Sequence, residues 1–394
     1  MFKLLTHNDL DGVSCGILAK LAFGKKAQVR YNSVAGLDRE VAWFLENGDP
    51  ETFLFITDLS VNEENELALQ AFHEREGRVK LLDHHKTSMD FNKYDWAKVE
   101  VEDEAGKLKC AASIFYEYLV EEGLLEKRAA ISDYIELVRQ YDTWEWEKQN
   151  NQMARRLNAL FYLLSIEEFE EKMLERLNGN EPFYFNDLEK EILKMEDKKM
   201  ESYIRRKRRE LVQLKVGGLF AGVVHAESYH SELGNELGKE YPHLDYIVII
   251  NMGGRRAGFR TIHDHVDVSD VASQFGGGGH AKASGCAMSD EVYEHYVSRA
   301  FAEEPLREDA RRNRFNLKNA ENGSLYRNRA GDRFFLHPGG EDRWIIEMNG
   351  RDLEREFTSF ENAERYVKRA EAAWLAFDED LVDYLHMDRR GRKS

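Results

Sequence analysis

The chain has 394 residues, with 56 Lys and Arg against 73 Asp and Glu, for a formal net charge of −17. That length suits two or three domains with substantial cores, and the acid excess argues against stable duplex DNA binding, because phosphate backbones are held mainly by Lys and Arg. It leaves small anionic substrates open, since bound cations invert the local field.

The first elements repeat one arrangement. The apolar run Phe2-Lys3-Leu4-Leu5 hands His7, Asp9 and Asp11 to a turn, and Gly12 and Ser14 lead into Ile17, Leu18, Leu21 and Ala22 at helical spacing. Gln28 to Asn32 reads as a second strand. Thr52 to Ile56 is a third, ending at Thr57-Asp58 before a helical pattern from Asn62 to Glu76. Arg78 to Leu82 is a fourth and delivers Asp83-His84-His85. Short strands separated by helical segments imply right-handed βαβ crossovers and a parallel sheet. Three of the four strands end in candidate ligands, where open α/β sheets place theirs.

Carboxylates mixed with imidazole suit Mn²⁺ and, less exclusively, Mg²⁺, Co²⁺ or Zn²⁺. Two such ions about 3.5–4 Å apart can clamp a phosphoryl group. Asp58, alone at its strand end, is the natural bridging carboxylate.

Farther along, Ala111 to Tyr118 and Ile131 to Val138 carry apolar residues at helical spacing, the second leading to Tyr141-Asp142. Trp144 and Trp146 are expected to cap the sheet's edge. From Phe183 to Val216 there is neither Gly nor Pro, and Leu188, Ile192, Met195, Tyr203, Ile204, Leu211 and Leu214 trace one apolar path, as a connector helix would. The run Arg205 to Arg209 covers every helix face and reads as solvated surface.

A second lobe opens with Tyr246 to Ile250 as a central strand and Arg256 to Ile262 as its neighbour. The short helix capped at Asp267 runs into Gly276-Gly277-Gly278-Gly279-His280. Gly277, Gly278 and Gly279 allow backbone N–H groups to approach an anion, and Arg260 and His280 add donors for a second phosphate. Beyond Pro305, Arg333 to His337 and Arg343 to Met348 look like strands, and Phe360 through Phe377 looks helical.

Taken together, His7-Asn8-Asp9-Leu10-Asp11-Gly12, Asp58, Asp83-His84-His85 and Arg139-Gln140-Tyr141-Asp142-Thr143-Trp144 resemble the four motifs of the DHH phosphoesterases. The stretch from Asp267 to Gly285 is similar to the DHHA1 substrate-binding motif that accompanies them. The resemblance implies two Mn²⁺ per chain, one on His7, Asp9 and Asp58, the other on Asp11, Asp58, His84 and Asp142, with Mg²⁺ or Co²⁺ as substitutes. It makes His85 and Asp83 the catalytic pair: His85 facing the scissile phosphate, Asp83 orienting an imidazole.

The implied fold class is α/β. It comprises a parallel-sheet DHH domain with helices on both faces (1–165), a helical connector (166–215), a smaller α/β DHHA1 lobe (216–304) and a C-terminal α+β extension (305–394). The Gly-Gly-Gly-His signature sets the chain apart from family II pyrophosphatases, its length from RecJ-type exonucleases, and the lack of long apolar runs from membrane-bound cyclic di-AMP hydrolases. The group left is the oligoribonucleases called nanoRNases, and the extension resembles that of the B type. The implied activity is hydrolysis of short single-stranded RNA or dinucleotides to mononucleotides. The alternatives are a 3′-phosphoadenosine 5′-phosphate phosphatase and a cyclic dinucleotide phosphodiesterase. Cys15, Cys110 and Cys286 form no disulfide framework, the opening residues turn polar too soon for a signal peptide, and no apolar stretch spans a membrane. A cytoplasmic enzyme is therefore expected, with a homodimer left open.

Overall fold

A computed structural model describes residues 1–179, 181–340 and 343–391. Asn180, in the expected connector, and residues 341, 342 and 392–394, in the expected extension, lie outside the described residues. The chain divides into two compact units, Met1–Lys198 and Lys199–Ser394.

In the first unit, strands β1 (Phe2–His7), β2 (Ala27–Asn32), β3 (Phe53–Thr57), β4 (Val79–Asp83) and β5 (Ala97–Val99) form one parallel sheet in the order β2-β1-β3-β4-β5. β5 escaped the sequence reading because three residues carry too little periodicity. Alternate side chains face opposite ways. Leu4, Phe55 and Leu82 meet α1 (Leu10–Phe23) and later helices, whereas Leu5, Leu54, Ile56 and Leu81 meet α2 (Val34–Asn47) and α3 (Glu63–Glu76). The chain crosses from one side of β1 to the other between β2 and β3. The carboxyl ends of β1 and β3 therefore flank the switch point where open sheets gather ligands.

The helices α4 (Ala111–Glu121), α5 (Ala129–Asp142), α6 (Glu145–Lys148), α7 (Gln152–Leu163) and α8 (Ile166–Leu177) join the first of these cores. Trp146 is buried there, and α6 meets α5 and α7, so the tryptophans do not cap the sheet's edge as expected. Residues 166–177, read as the start of a connector, belong to the same core: Glu170 of α8 is buried, accepts two hydrogen bonds from Lys20 Nζ at 2.6 and 2.7 Å, and also accepts one from Tyr31 Oη.

The long helix α9 (Asp187–Lys207) ends sooner than its apolar path suggested. Leu188 and Met195 are exposed, Leu193 and Ile204 are buried, and Leu214 lies on a strand. The glycine-free composition was compatible with helix, but pairing with a neighbouring strand overrode it.

The second unit contains a six-stranded sheet ordered β10-β11-β9-β8-β7-β6. Its strands are β6 (Val212–Val216), β7 (Leu219–His225), β8 (Tyr246–Asn251), β9 (Arg256–Arg260), β10 (Gly278–His280) and β11 (Ala283–Ala287), antiparallel except for β7 and β8. α10 (His230–Glu240) covers one face. The other is covered by α11 (Val268–Ser273) and by α12 (Asp290–Val292), which continues through a π turn into α13 (Arg299–Phe301). β8 and β9 stand where the sequence put them, and Asp267 caps α11.

A further antiparallel sheet, β15-β14-β13-β12-β16, is built from β12 (Ser324–Arg327), β13 (Arg333–Pro338), β14 (Trp344–Met348), β15 (Arg351–Phe357) and β16 (Trp374–Leu375). α14 (Phe360–Glu371) covers one face, and Leu381 and Tyr384 of α15 (Asp378–Gly391) the other. The helix expected from Phe360 to Phe377 stops at Ala372, whose φ of 47° reverses the chain so that Trp374 and Leu375 can pair with β12. Arg369 fastens α14 to the six-stranded sheet, donating to Asp245 Oδ1 at 2.6 Å and the His243 carbonyl at 2.5 Å.

Replacing Glu170 by Ala leaves Lys20 and Tyr31 without their shared acceptor. The expected cost is about 2 kcal/mol, read as a lower urea midpoint for the first unit. An unchanged midpoint would show the network to be dispensable.

Candidate metal centre

Four backbone features aim the acidic side chains at one place. His7 is the last residue of β1, and Asp9 is the N-cap of α1, its Oδ1 accepting from Gly12 N at 3.0 Å. Asp11 therefore lies in the first helical turn rather than on a loop. Gly12 permits this tight junction, because a Cβ there would sit 2.4 Å from the His7 carbonyl oxygen.

Asp58 follows β3 with φ 61°, a left-handed conformation costing a non-glycine residue about 1–2 kcal/mol. Such strain persists only where the surroundings impose it. Asp83 ends β4 and leaves His84 and His85 on the next turn. Asp142 is the last residue of α5, and Trp144 at φ 60° turns the chain sharply just after it.

These side chains meet in two groups whose donor atoms lie within 4.8 Å of one another: His7, Asp9 and Asp58, and Asp11, His84 and Asp142. His7 Nδ1 is 2.8 Å from Asp9 Oδ2 and 3.7 Å from Asp58 Oδ2. His84 Nε2 is 3.4 Å from Asp58 Oδ1 and 3.7 Å from Asp11 Oδ2, while its Nδ1 is 3.6 Å from Asp142 Oδ2. One oxygen of Asp58 thus faces each group.

Asp11 is held from a distant part of the chain. The first N–H groups of α4 donate to it, Ala111 to Oδ2 at 2.7 Å and Ala112 to Oδ1 at 2.8 Å. A helix N-terminus favours negative charge, and each oxygen keeps a second lone pair.

Sequence reasoning gave no role to Ala111 and Ala112, because backbone donors leave no mark on residue type. Arg139 carried no expected role either. That buried guanidinium donates to Glu136, to Glu145 and to the Leu108 carbonyl, fixing the end of α5 that bears Asp142. Its position three residues before Asp142 was the available signal.

The electrostatics are those of crowded acids. Asp58, 2% exposed, has its carboxyl pushed well above the usual range by burial and then by Asp9, Asp11 and Asp142. Burial also raises Asp11, against the pull of His84. Asp142 is raised to about 7 by burial together with Asp11 and Asp9, against His84. Burial would raise Asp9 too, but its hydrogen bond from His7 brings it to about 2.

Among the described residues, Asp58 Oδ2 is buried without a hydrogen-bond partner. Acids this close need either protons or cations, and the mixed oxygen and imidazole donors fit a divalent metal.

Asp83 and His85 are paired, and their donor atoms also lie within 4.8 Å of those of Asp58 and His84. His85 Nδ1 stands 2.8 Å from Asp83 Oδ1, which also accepts from the His84 amide at 2.8 Å. Burial opposes the charge on both, yet the pair keeps Asp83 well below the carboxylate range and raises His85 to about 9. Asp83, with Asp142 and Asp11, thus favours the charged form of the His85 imidazole.

The expected substrate residues lie in the second unit. Arg260, on β9, donates to the Phe259 carbonyl at 2.9 Å and Ser231 Oγ at 3.1 Å. Gly277 is half-buried, and Gly278, Gly279 and His280 are exposed. The run expected as a loop is partly the edge strand β10, and at Gly279, with φ 138°, a Cβ would lie 2.7 Å from the Ala283 carbonyl oxygen.

A family model for the oligoribonuclease NrnB C-terminal domain matches residues 323–393. Oligoribonuclease NrnB of Bacillus subtilis (strain 168) is 54% identical over 388 residues, covering 98% of this chain and 97% of that protein. Among solved structures, RecJ in complex with Mn²⁺ from Thermus thermophilus is 13% identical with a TM-score of 0.46, over 89% of this chain and 62% of that one. An exopolyphosphatase-related protein from Bacteroides fragilis is 10% identical with a TM-score of 0.39, over 76% and 91%. Among the described residues no helix is long and apolar enough to cross a membrane.

The raised acids fix a sign. A carboxyl whose folded pKa exceeds its unfolded value near 3.9 binds a proton that the unfolded chain lacks, so stability falls as pH rises toward the folded value. Asp142 acts in this way from about pH 4 to 7, and His85, raised from 6.5, from about pH 6.5 to 9. In EDTA the thermal midpoint of the first unit should fall across that span, and Mn²⁺ should restore it more at pH 8 than at pH 5. Equal Mn²⁺ shifts at both pH values would contradict this electrostatic account.

Proposed function

The chain belongs to the family of oligoribonuclease NrnB, and from that membership we propose that it is a metal-dependent phosphodiesterase that hydrolyses RNA of about two to five nucleotides to mononucleotides. The observation that carries the reading is the pair of donor groups facing the two oxygens of Asp58. His7, Asp9 and Asp58 would hold one cation, and Asp11, Asp58, His84 and Asp142 the other, with Mn²⁺ suited to the donor mixture. Bound there, the cations would supply Lewis acidity to the phosphoryl oxygens and lower the pKa of attacking water.

The chain's own residues do the rest. His85, held at Nδ1 by Asp83, is the proposed general acid: a proton on its Nε2 would pass to the departing ribose oxygen as the P–O bond breaks. Asp83 holds the imidazolium in orientation and regains a charged partner when the proton is replaced. Arg139 keeps Asp142 at its post. Arg260 and His280, with the glycine edge from Gly277 to Gly279, are the proposed grips for a second phosphate.

The experiment is turnover of a labelled tri-ribonucleotide with Mn²⁺. Asp11→Ala or His84→Ala should lose at least about 10²-fold in kcat, whereas Arg260→Ala and His280→Ala should chiefly raise KM. Near-normal turnover in either of the first pair removes the two-metal assignment, and a pure kcat loss in the second pair removes the gripping role. Running a cyclic dinucleotide and 3′-phosphoadenosine 5′-phosphate at equal concentration reads substrate class, and products from 5′- and 3′-labelled RNA read polarity.

A further inference from the structure

The chain carries an excess of acid, yet one cavity in the second unit is ringed by cations. It measures about 920 Å³ and lies between the β6–β7 edge of the six-stranded sheet and the α14 and β15 elements of the C-terminal sheet. Lys215, Arg299, Arg355 and Arg369 line it with Phe220 and Tyr366, and Glu303 is its lone acidic residue. Such a concentration of positive charge is unexplained by the chain's overall charge of −17.

Of these four cations, Arg369 is the one among the described residues that is paired with a carboxylate, through Asp245. Lys215, Arg299 and Arg355 are exposed, and among the described residues no carboxylate stands within ion-pair distance of them. Arg299 is steadied by donating to the Lys215 carbonyl at 2.9 Å.

The aromatic rings supply the second half of a recognition surface. The Arg355 guanidinium lies 5.0 Å from the Tyr366 ring centre, and Arg369 and Lys215 lie 4.9 and 5.8 Å from that of Phe220. A guanidinium close to an aromatic ring can present its N–H edge to a phosphate while the pair offers apolar surface on which a nucleobase can stack. Cations interleaved with aromatic groups are the pattern that binds single-stranded nucleotides without reading their sequence.

We propose that this cavity is a ribonucleotide-binding site, with the phosphate on Lys215, Arg299 and Arg355 and the base stacked against the Arg355–Tyr366 pair. It is separate from the glycine edge: β10 and β6 are opposite edges of the same sheet, five strand spacings or roughly 24 Å apart. The choice of a ribonucleotide over other phosphorylated aromatics rests on the RNA-hydrolysing reading above. The ligand is either the product mononucleotide or a segment of short RNA, which share this chemistry.

The test is calorimetric titration of the full chain in EDTA with 5′-AMP, with a tri-ribonucleotide and with inorganic phosphate. At least one of the first two should bind, more weakly as salt rises, and the one that binds identifies the source. The Lys215→Ala/Arg355→Ala double variant should lose about tenfold or more in affinity, with a thermal midpoint like that of the parent. Should the double variant unfold, Arg355→Gln alone reads the same contact. Unchanged affinity in a folded variant, or phosphate binding as tightly as the nucleotide, overturns the site. Hydrolysis of RNA in Mn²⁺ without any nucleotide binding in EDTA would sink this site alone, whereas binding without hydrolysis would sink the catalytic reading.

Discussion

Crowding several carboxylates around one point, two of them buried, is the constraint on which the first unit depends. Asp11 and Asp58 are each 2% exposed, and together with Asp9 and Asp142 they repel one another in a setting that screens poorly. The fold counters that repulsion in fixed ways. The N-terminus of α4 donates two N–H groups to Asp11, His7 bonds Asp9, and His84 stands between Asp58, Asp11 and Asp142. What these do not neutralise is left as an affinity for cations.

That requirement explains local geometry which would otherwise be a defect. Asp58 takes up a left-handed backbone conformation directly after β3, and Gly12 lets α1 begin against the last residue of β1. Both sit beside the point where the parallel sheet reverses its winding. The strain is sustained by the cores on the two faces of the sheet, which fix the ends of β1, β3 and β4 relative to one another.

The second unit handles charge differently. Where Arg369 crosses from α14 to Asp245 and Lys368 reaches Asp309, cations and acids are paired and hold the two sheets together. Lys215, Arg299 and Arg355 line the cavity beside that junction, and among the described residues no ion pair engages them. The contrast separates positive charge spent on structure from positive charge available to a ligand.

The sequence by itself determined four of the five parallel strands, the apolar faces and the identity of the donor side chains, because strand ends, helical spacing and residue chemistry are local properties. It also marked β8, β9 and the cap at Asp267. It misjudged the exposed Leu188 and Met195, the break at Ala372 and the burial of Trp146, since each was decided by what lay across from it rather than by its neighbours in the chain. The two N–H groups on Asp11, the buried fork of Arg139 and the cavity between two sheets were likewise settled only by tertiary structure. Each joins segments from 3 to more than 100 residues apart through backbone or surface geometry, which residue type does not encode.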